Sequence, residues 1–265
     1  MPRFKLGRNR PSVSERRLRF AHYLTDAPIS PPPTVSHWSE TQTESGGYAC
    51  LTNVMGNDTL GNCTCAGAAH IEGILRANAG NVDRLPITGD AIAFYSLSCG
   101  YLPGDPSTDQ GGDEVTVLNC WKNKGFFPDG SGKIAAWVTL DAANVEQVMR
   151  AIWLFENCYF GVELPDGWLG DHEPQRNGFT WDVVGDANPA NGHCFVGVGY
   201  NENGVIIDTW GLIGTVTWAA VAKYATSTSQ GELYAVVSED AINRAKRKAP
   251  NSFDFDELIA DSGSL

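Results

Sequence analysis

Apolar and polar positions alternate along this chain with two periods, and the change of period divides it. From Cys63 the sequence is small and apolar (Ala66, Ala68, Ala69, Ile71, Ile74, Leu75), which predicts a helix to Asn78 or Ala79 closed by Gly80. Its Ala-Gly-Ala-Ala run predicts close packing against a neighbour. Ala91 to Ser98 reads as a second helix. Asp113 caps a third, with Val117 and Trp121 on one face, Val115 and Leu118 beside them, and Gly125 at its end. Beyond Gly125 the pattern turns to strands: Ala136–Leu140, Tyr159–Leu164 and a hairpin. The hairpin is His193-Cys-Phe-Val-Gly-Val-Gly-Tyr200, a turn at Asn201–Gly204, and a return from Val205 to Gly211. Between the first two strands, Asp141 is expected to cap a helix carrying Val145, Val148, Met149 and Ile152 at i, i+3, i+4, i+7. Thr217 caps a short helix, Trp218–Tyr224, and Glu232–Val237 is the closing strand.

Helices first and strands afterwards predict an α+β domain over 41–237, with a helical half (41–125) and a β half (126–237). Residues 1–40 read as a basic, proline-rich arm. Within it Ser14–Tyr23 is a short helix burying Leu18 and Phe20, and Ile29–Pro33 is an extended spacer. Residues 238–265 read as a tail: a helix opened by Ser238-Glu239-Asp240 and stopped by Pro250, then a mobile acidic end. Pro165–Pro189 reads as a long loop that carries function or wraps a surface.

The chain has 265 residues, 42% of them apolar, enough to bury a sizeable core. Its net charge of −12 is unevenly spread: the first 20 residues hold seven basic and one acidic residue, the remainder 12 basic and 30 acidic. An acidic body excludes nucleic-acid binding except through the arm. The arm is expected to dock on an acidic surface, of a neighbouring protein or of the chain itself, and the C-terminal tail is a second expected contact for an assembly partner. No apolar run approaches the ~20 residues of a membrane span, so no membrane partner is expected. No apolar stretch follows the basic N-terminus, so no secretory signal is expected, and the seven cysteines are read as mostly reduced in a cytoplasmic or virion setting, with one disulfide left open.

The stretch Gly56–His70 carries the candidate chemistry. Asn57, Asp58, Gly61 and Asn62 form turns, and Asn62 as N-cap would place Cys63 in the first helical turn. There the unpaired N–H groups and the helix dipole favour thiolate. Gly61 leaves room for a substrate backbone. Buried filler is the plain alternative for Cys63. A zinc set of Cys63, Cys65 and His70 lacks the usual paired spacing, and His70 suits a hydrogen-bonded core histidine, so no metal or cofactor is expected. Only one of Cys63 and Cys65 can face a cleft, since two residues are ~200° apart on a helix. An early helix-borne Cys with a late strand-borne His is the chain order of papain-like enzymes.

The block Leu-Gly-Asn-Cys-Thr-Cys-Ala, residues 60–66, resembles the nucleophile segment of bacterial and phage relatives of the papain family. Gly192-His193-Cys194-Phe195, followed by Asp208-Thr209-Trp210-Gly211, resembles that family's histidine strand and its Asn-Ser-Trp-Gly segment. Gly111-Gly112 resembles the pair that lines the family's substrate groove, and Asp141–Leu164 its element entering the β domain. The resemblance spans roughly residues 45–237. It implies a papain-like α+β fold, with a helical half and an antiparallel β half on either side of an active-site cleft.

By that resemblance Cys63 is the nucleophile and His193 its base. Asn57 stands where the family has its oxyanion glutamine, and Gly111, Gly112 and Gly61 line the substrate groove. Counted back from Trp210, the third member is Asp208, which would orient His193; counted forward from His193, it is Thr209. Thr64 replaces the family's aromatic, and Leu60 replaces a cysteine, so the nearby disulfide of plant and lysosomal members is absent. The arm is shorter than the helical propeptide of secreted members, so autoinhibition of that kind is not expected. Two functions stay open: a cysteine peptidase or amidase, and a papain-like fold used as a non-catalytic binding or phage virion structural protein.

Overall fold

The computed structural model describes residues 4–10, 17–25, 32–36, 47–248 and 253–264. Helices Gly47–Leu51, Cys63–Asn78, Thr88–Cys99 and Glu114–Lys124 precede the strands, as the change of period predicts. The strands are β1 (Ala136–Thr139), β2 (Cys158–Pro165), β3 (Phe179–Trp181), β4 (Ala187–Asn201), β5 (Gly204–Thr209), β6 (Leu212–Thr217) and β7 (Glu232–Val237). They form one sheet in the order β1-β7-β2-β4-β5-β6-β3. Neighbours are antiparallel except β3 and β6.

Both faces of this sheet are covered, which explains why its strands read as continuous apolar runs. Tyr159, Val196 and Tyr234 join a core with Ile71, Ile74, Phe94 and Trp121 of the helical half. Their neighbours Phe160, Phe195 and Leu233 point the other way, into a core with Val148, Ile152 and Phe155. The Cys63–Asn78 helix lies close against the sheet because Gly67 has no side chain: a Cβ there would sit 2.8 Å from the Tyr159 ring.

Several elements differ from the expected pattern. Asn144, not Asp141, caps the helix Val145–Phe155, its side chain accepting from Gln147 N–H at 3.0 Å. Asp141 instead accepts from Ala143 N–H in the preceding turn. The 165–189 segment is not a free loop, since Phe179–Trp181 pairs with β6 and Trp168 stacks on Trp181 at 4.6 Å. In the arm, Phe20–Tyr23 forms a single 3₁₀ turn with Leu18 and Phe20 buried, while residues 14–16 of the expected helix and 29–31 of the expected spacer lie outside the described residues.

The acidic tail is docked rather than mobile. Phe255–Gly263 is a helix, and Phe253 and Phe255 pack edge-on to Phe155. Phe20 and Tyr23 of the arm join this aromatic cluster, and Tyr23 Oη donates to Asp261. No helix among the described residues is long and apolar enough to cross a membrane.

Candidate active site

Cys63 is the first residue of its helix, with a side chain 1% exposed. The preceding loop folds back through two left-handed residues, Met55 and Gly56, at φ 55° and 82°. Asn62 occupies the N-cap position without capping; its amide donates to the Met55 carbonyl at 2.9 Å and fixes that loop. Asn57 is buried beside Cys63, and its amide donates to the Leu60 carbonyl at 2.9 Å. Asp109 holds the opposite wall: it accepts from Gly61 N–H and from Tyr95 Oη, and Tyr95 Oη in turn accepts from Gly111 N–H at 2.8 Å.

His193 lies within β4, which begins at Ala187, so it is not the strand's first residue. Trp210 stacks on its ring at 4.2 Å. Its Nε2 meets Thr209 Oγ1 at 2.9 Å. Asp208 does not orient His193. It pairs with His70 Nδ1 at 2.7 Å, and His70 Nε2 meets the Asn53 carbonyl at 2.8 Å. The physical reason is strand alternation: consecutive residues of β5 face opposite sides, so Thr209 turns to His193 and Asp208 to the helical half. His70 is the hydrogen-bonded core histidine its position suggests.

Gly61, Gly112 and Gly192 line a groove that is filled by the chain's own residues 4–10. Gly112 N–H donates to the Gly7 carbonyl at 2.9 Å, and Asn9 N–H donates to the Gly112 carbonyl at 2.9 Å. The Gly192 carbonyl accepts from Gly7 and Arg8 N–H, and the Asn57 carbonyl from Lys5 N–H. Phe4 stacks on Trp210 at 4.8 Å. Gly7 passes so close that a Cβ on it would lie 1.9 Å from the Gly61 oxygen. The arm therefore covers the site despite its short length, not as a helical propeptide but as a short segment whose Gly7 fits against Gly61.

Burial shifts both groups toward their neutral forms. Burial, then the charge of Glu114, pushes the Cys63 thiol up to about 12, against the N–H groups of Cys194, Gly7 and Thr64 that favour thiolate. Burial alone pulls His193 down to about 3. His193 Nδ1 has no hydrogen-bond partner among the described residues, so the Cys63 thiol is not bonded to it, and both groups stand neutral rather than as an ion pair. Cys65 faces away, 3.3 Å from Ser98 Oγ, and all seven cysteines are free.

Arg8, Glu114 and Glu232 converge at this cleft without any local sequence signal. Only the opposed charges of arm and body pointed toward such contacts.

No family model and no curated protein sequence matches the chain. Solved structures do. Xylellain, a cysteine protease from Xylella fastidiosa, is similar over 89% of this chain and 97% of its own, with a TM-score of 0.59 and 12% identity. The digestive procathepsin L 3 of Tenebrio molitor larval midgut is similar over 86% of this chain and 76% of its own, with a TM-score of 0.54 and 12% identity. The chain has the papain-like cysteine protease fold, with a helical part and a mostly antiparallel sheet.

Proposed function

We propose that this chain is a cysteine hydrolase of peptide or amide bonds, held closed by residues 4–10. The observation that carries the reading is the extended peptide backbone of those residues, paired to Gly112 and Gly192 across Cys63. A groove that takes that backbone suits an extended substrate.

In the open form, His193 Nε2–H donates to Thr209 Oγ1, which leaves Nδ1 as the basic nitrogen to take the Cys63 proton. Trp210 fixes the ring plane from one side. The thiolate attacks the acyl carbon, and the Cys63 N–H with the second N–H of the Asn57 amide stabilises the oxyanion. His193 returns the proton to the leaving amine, and water then releases the acyl group.

A second reading, a non-catalytic peptide-binding protein, is favoured by the unpartnered His193 Nδ1 and the neutral, covered thiol. The experiment that separates the two displaces the arm. Gly7→Ala leaves the body untouched but puts a Cβ into Gly61. The hydrolase reading expects this full-length variant to cleave fluorogenic peptides, and Gly7→Ala/Cys63→Ala to be inert. Peptide binding without turnover selects the second reading.

A further inference from the structure

Arg8 is the residue of the arm that lies opposite Gly112, between the two hydrogen bonds of the bridge. Its side chain turns into the body and is 0% exposed, as is that of Glu114; Glu232 is 3% exposed. The guanidinium Nε lies 3.3 Å from Glu114 Oε2, and its Nη2 donates to Glu232 Oε1 and to the Gln230 carbonyl, both at 2.9 Å. Space for it comes from Gly161 in β2, where a Cβ would sit 2.3 Å from Glu114 Oε1 and 2.7 Å from Arg8 Nε.

The groups that meet the Arg8 guanidinium belong to the body: the first residue of the Glu114–Lys124 helix, the first of β7 and the middle of β2; Arg17 of the arm lies 3.3 Å from the other oxygen of Glu232. Resting on the reading of the groove as a peptide site, we propose that this pocket selects substrates carrying arginine at the residue that pairs with Gly112, with Glu114 and Glu232 as the specificity-determining residues.

Three arguments support it. Buried carboxyl groups are costly without charged partners, and Arg17 meets Glu232 through Oε2, so the vacated pocket favours a cation between Glu114 and Glu232 Oε1. Burial and the neighbouring Glu232 push Glu114 well above the usual carboxyl range. Burial opposes ionisation of Glu232 too, but its hydrogen bond from Glu114 and the Arg8 charge hold it below that range. The two shifts run in opposite directions, with Glu232 the carboxyl that the Arg8 charge favours as the anion. The planar fork of donors also fits two carboxyl groups and a carbonyl better than a lysine ammonium does.

The test separates selection from catalysis. A fluorescein-labelled Phe-Lys-Leu-Gly-Arg-Asn-Arg peptide and its twin with citrulline for the first arginine are titrated into full-length Gly7→Ala/Cys63→Ala protein by anisotropy. The arginine peptide is expected to bind at least about tenfold tighter. Adding Glu232→Gln, with Glu114→Gln, should erase most of the difference. Equal affinities, or a preference that survives both substitutions, overturn the proposal.

Should neither peptide enter, the same contact is read within the chain. Arg8→Gln should speed Cys63 alkylation by iodoacetamide at least about tenfold, with Arg8→Lys intermediate; undiminished protection in Arg8→Gln overturns the proposal. Arginine preference without hydrolysis by the Cys63-containing Gly7→Ala chain would sink the hydrolase reading alone.

Discussion

Thr209 and Asp208 are neighbours with opposite tasks, and substitution should separate them. Thr209→Val removes the hydroxyl that meets His193 Nε2. It is expected to lower kcat of arm-displaced protein by at least about tenfold, roughly 1.4 kcal/mol of barrier, with the melting temperature nearly unchanged. Asp208→Ala strands His70, whose charged form Asp208 favours against the pull of burial. Breaking such a buried pair costs about 3–5 kcal/mol, so this variant should lose stability in denaturant titration first and activity only as a consequence. The cysteines give a second residue-scale test. The hydrogen bond from Cys65 lowers Cys99, against burial, and Cys99 is partly exposed, while Cys63 is covered and raised. Limiting iodoacetamide should therefore label Cys99 ahead of Cys63 in the full-length chain. Gly7→Ala should move Cys63 to the front, as peptide mapping would show.

The arm segment 4–10 is held by both backbone and charge. Its backbone pairs with Gly112 and Gly192, and two side chains two residues apart reach acids of the body: Arg8 enters the pocket and Arg10 reaches Glu163 at 2.8 Å. Arg17 adds a contact to the second oxygen of Glu232 at 3.3 Å. The buried Arg8 contacts are screened little by salt, while Arg10, whose side chain is 56% exposed, is screened more. Raising salt from ~0.15 M to ~1 M should thus weaken the Arg10 contact yet leave Cys63 protected from alkylation in wild type. Loss of protection in salt alone would mean that the arm is held by its exposed charges. Gly112→Val is a poor probe of the groove, because a Cβ at Gly112 meets Cys99 Sγ at 2.5 Å and would disturb the helix behind it.

At the scale of the whole molecule, arm and tail meet on the far side of the sheet from the Cys63 helix. Leu24 bridges Phe253, and Phe20, Phe155, Phe253 and Phe255 share one cluster. Two buried groups tilt stability with pH in opposite directions. His193 falls from ~6.5 unfolded to about 3 folded, so the unfolded chain binds more protons between those values. Its contribution is full above ~6.5 and is lost as pH falls toward 3. Burial raises Glu72 to about 7, against the pull of Arg76. Its contribution is present below ~4.5 and is lost as pH rises through about 7. Thermal melts are expected to show Glu72→Gln flattening the fall in stability between ~4.5 and 7, and His193→Gln flattening the rise between ~3 and 6.5. Unchanged slopes would remove these assignments.

The sequence by itself determined what depends on neighbours along the chain. The period of its apolar residues set the helices and strands, and Asp113, Thr217 and Gly80 marked ends that the folded chain keeps. Cys63 at a helix start and His193 on a late strand were legible because a helix dipole and a chain order are local facts. Only the tertiary structure decided what depends on direction and distance. Whether Asp208 or Thr209 faces His193 turns on which side of β5 each side chain leaves, and a residue count across a turn does not give that. The arm's place in the cleft turns on Gly7 fitting against Gly61, two glycines that nothing in the sequence pairs. Arg8 meeting Glu114 and Glu232 depends on β2, β7 and the Glu114 helix converging on one point. Composition showed opposite charges but not where they meet, because Coulomb attraction names no partner until the chain has folded.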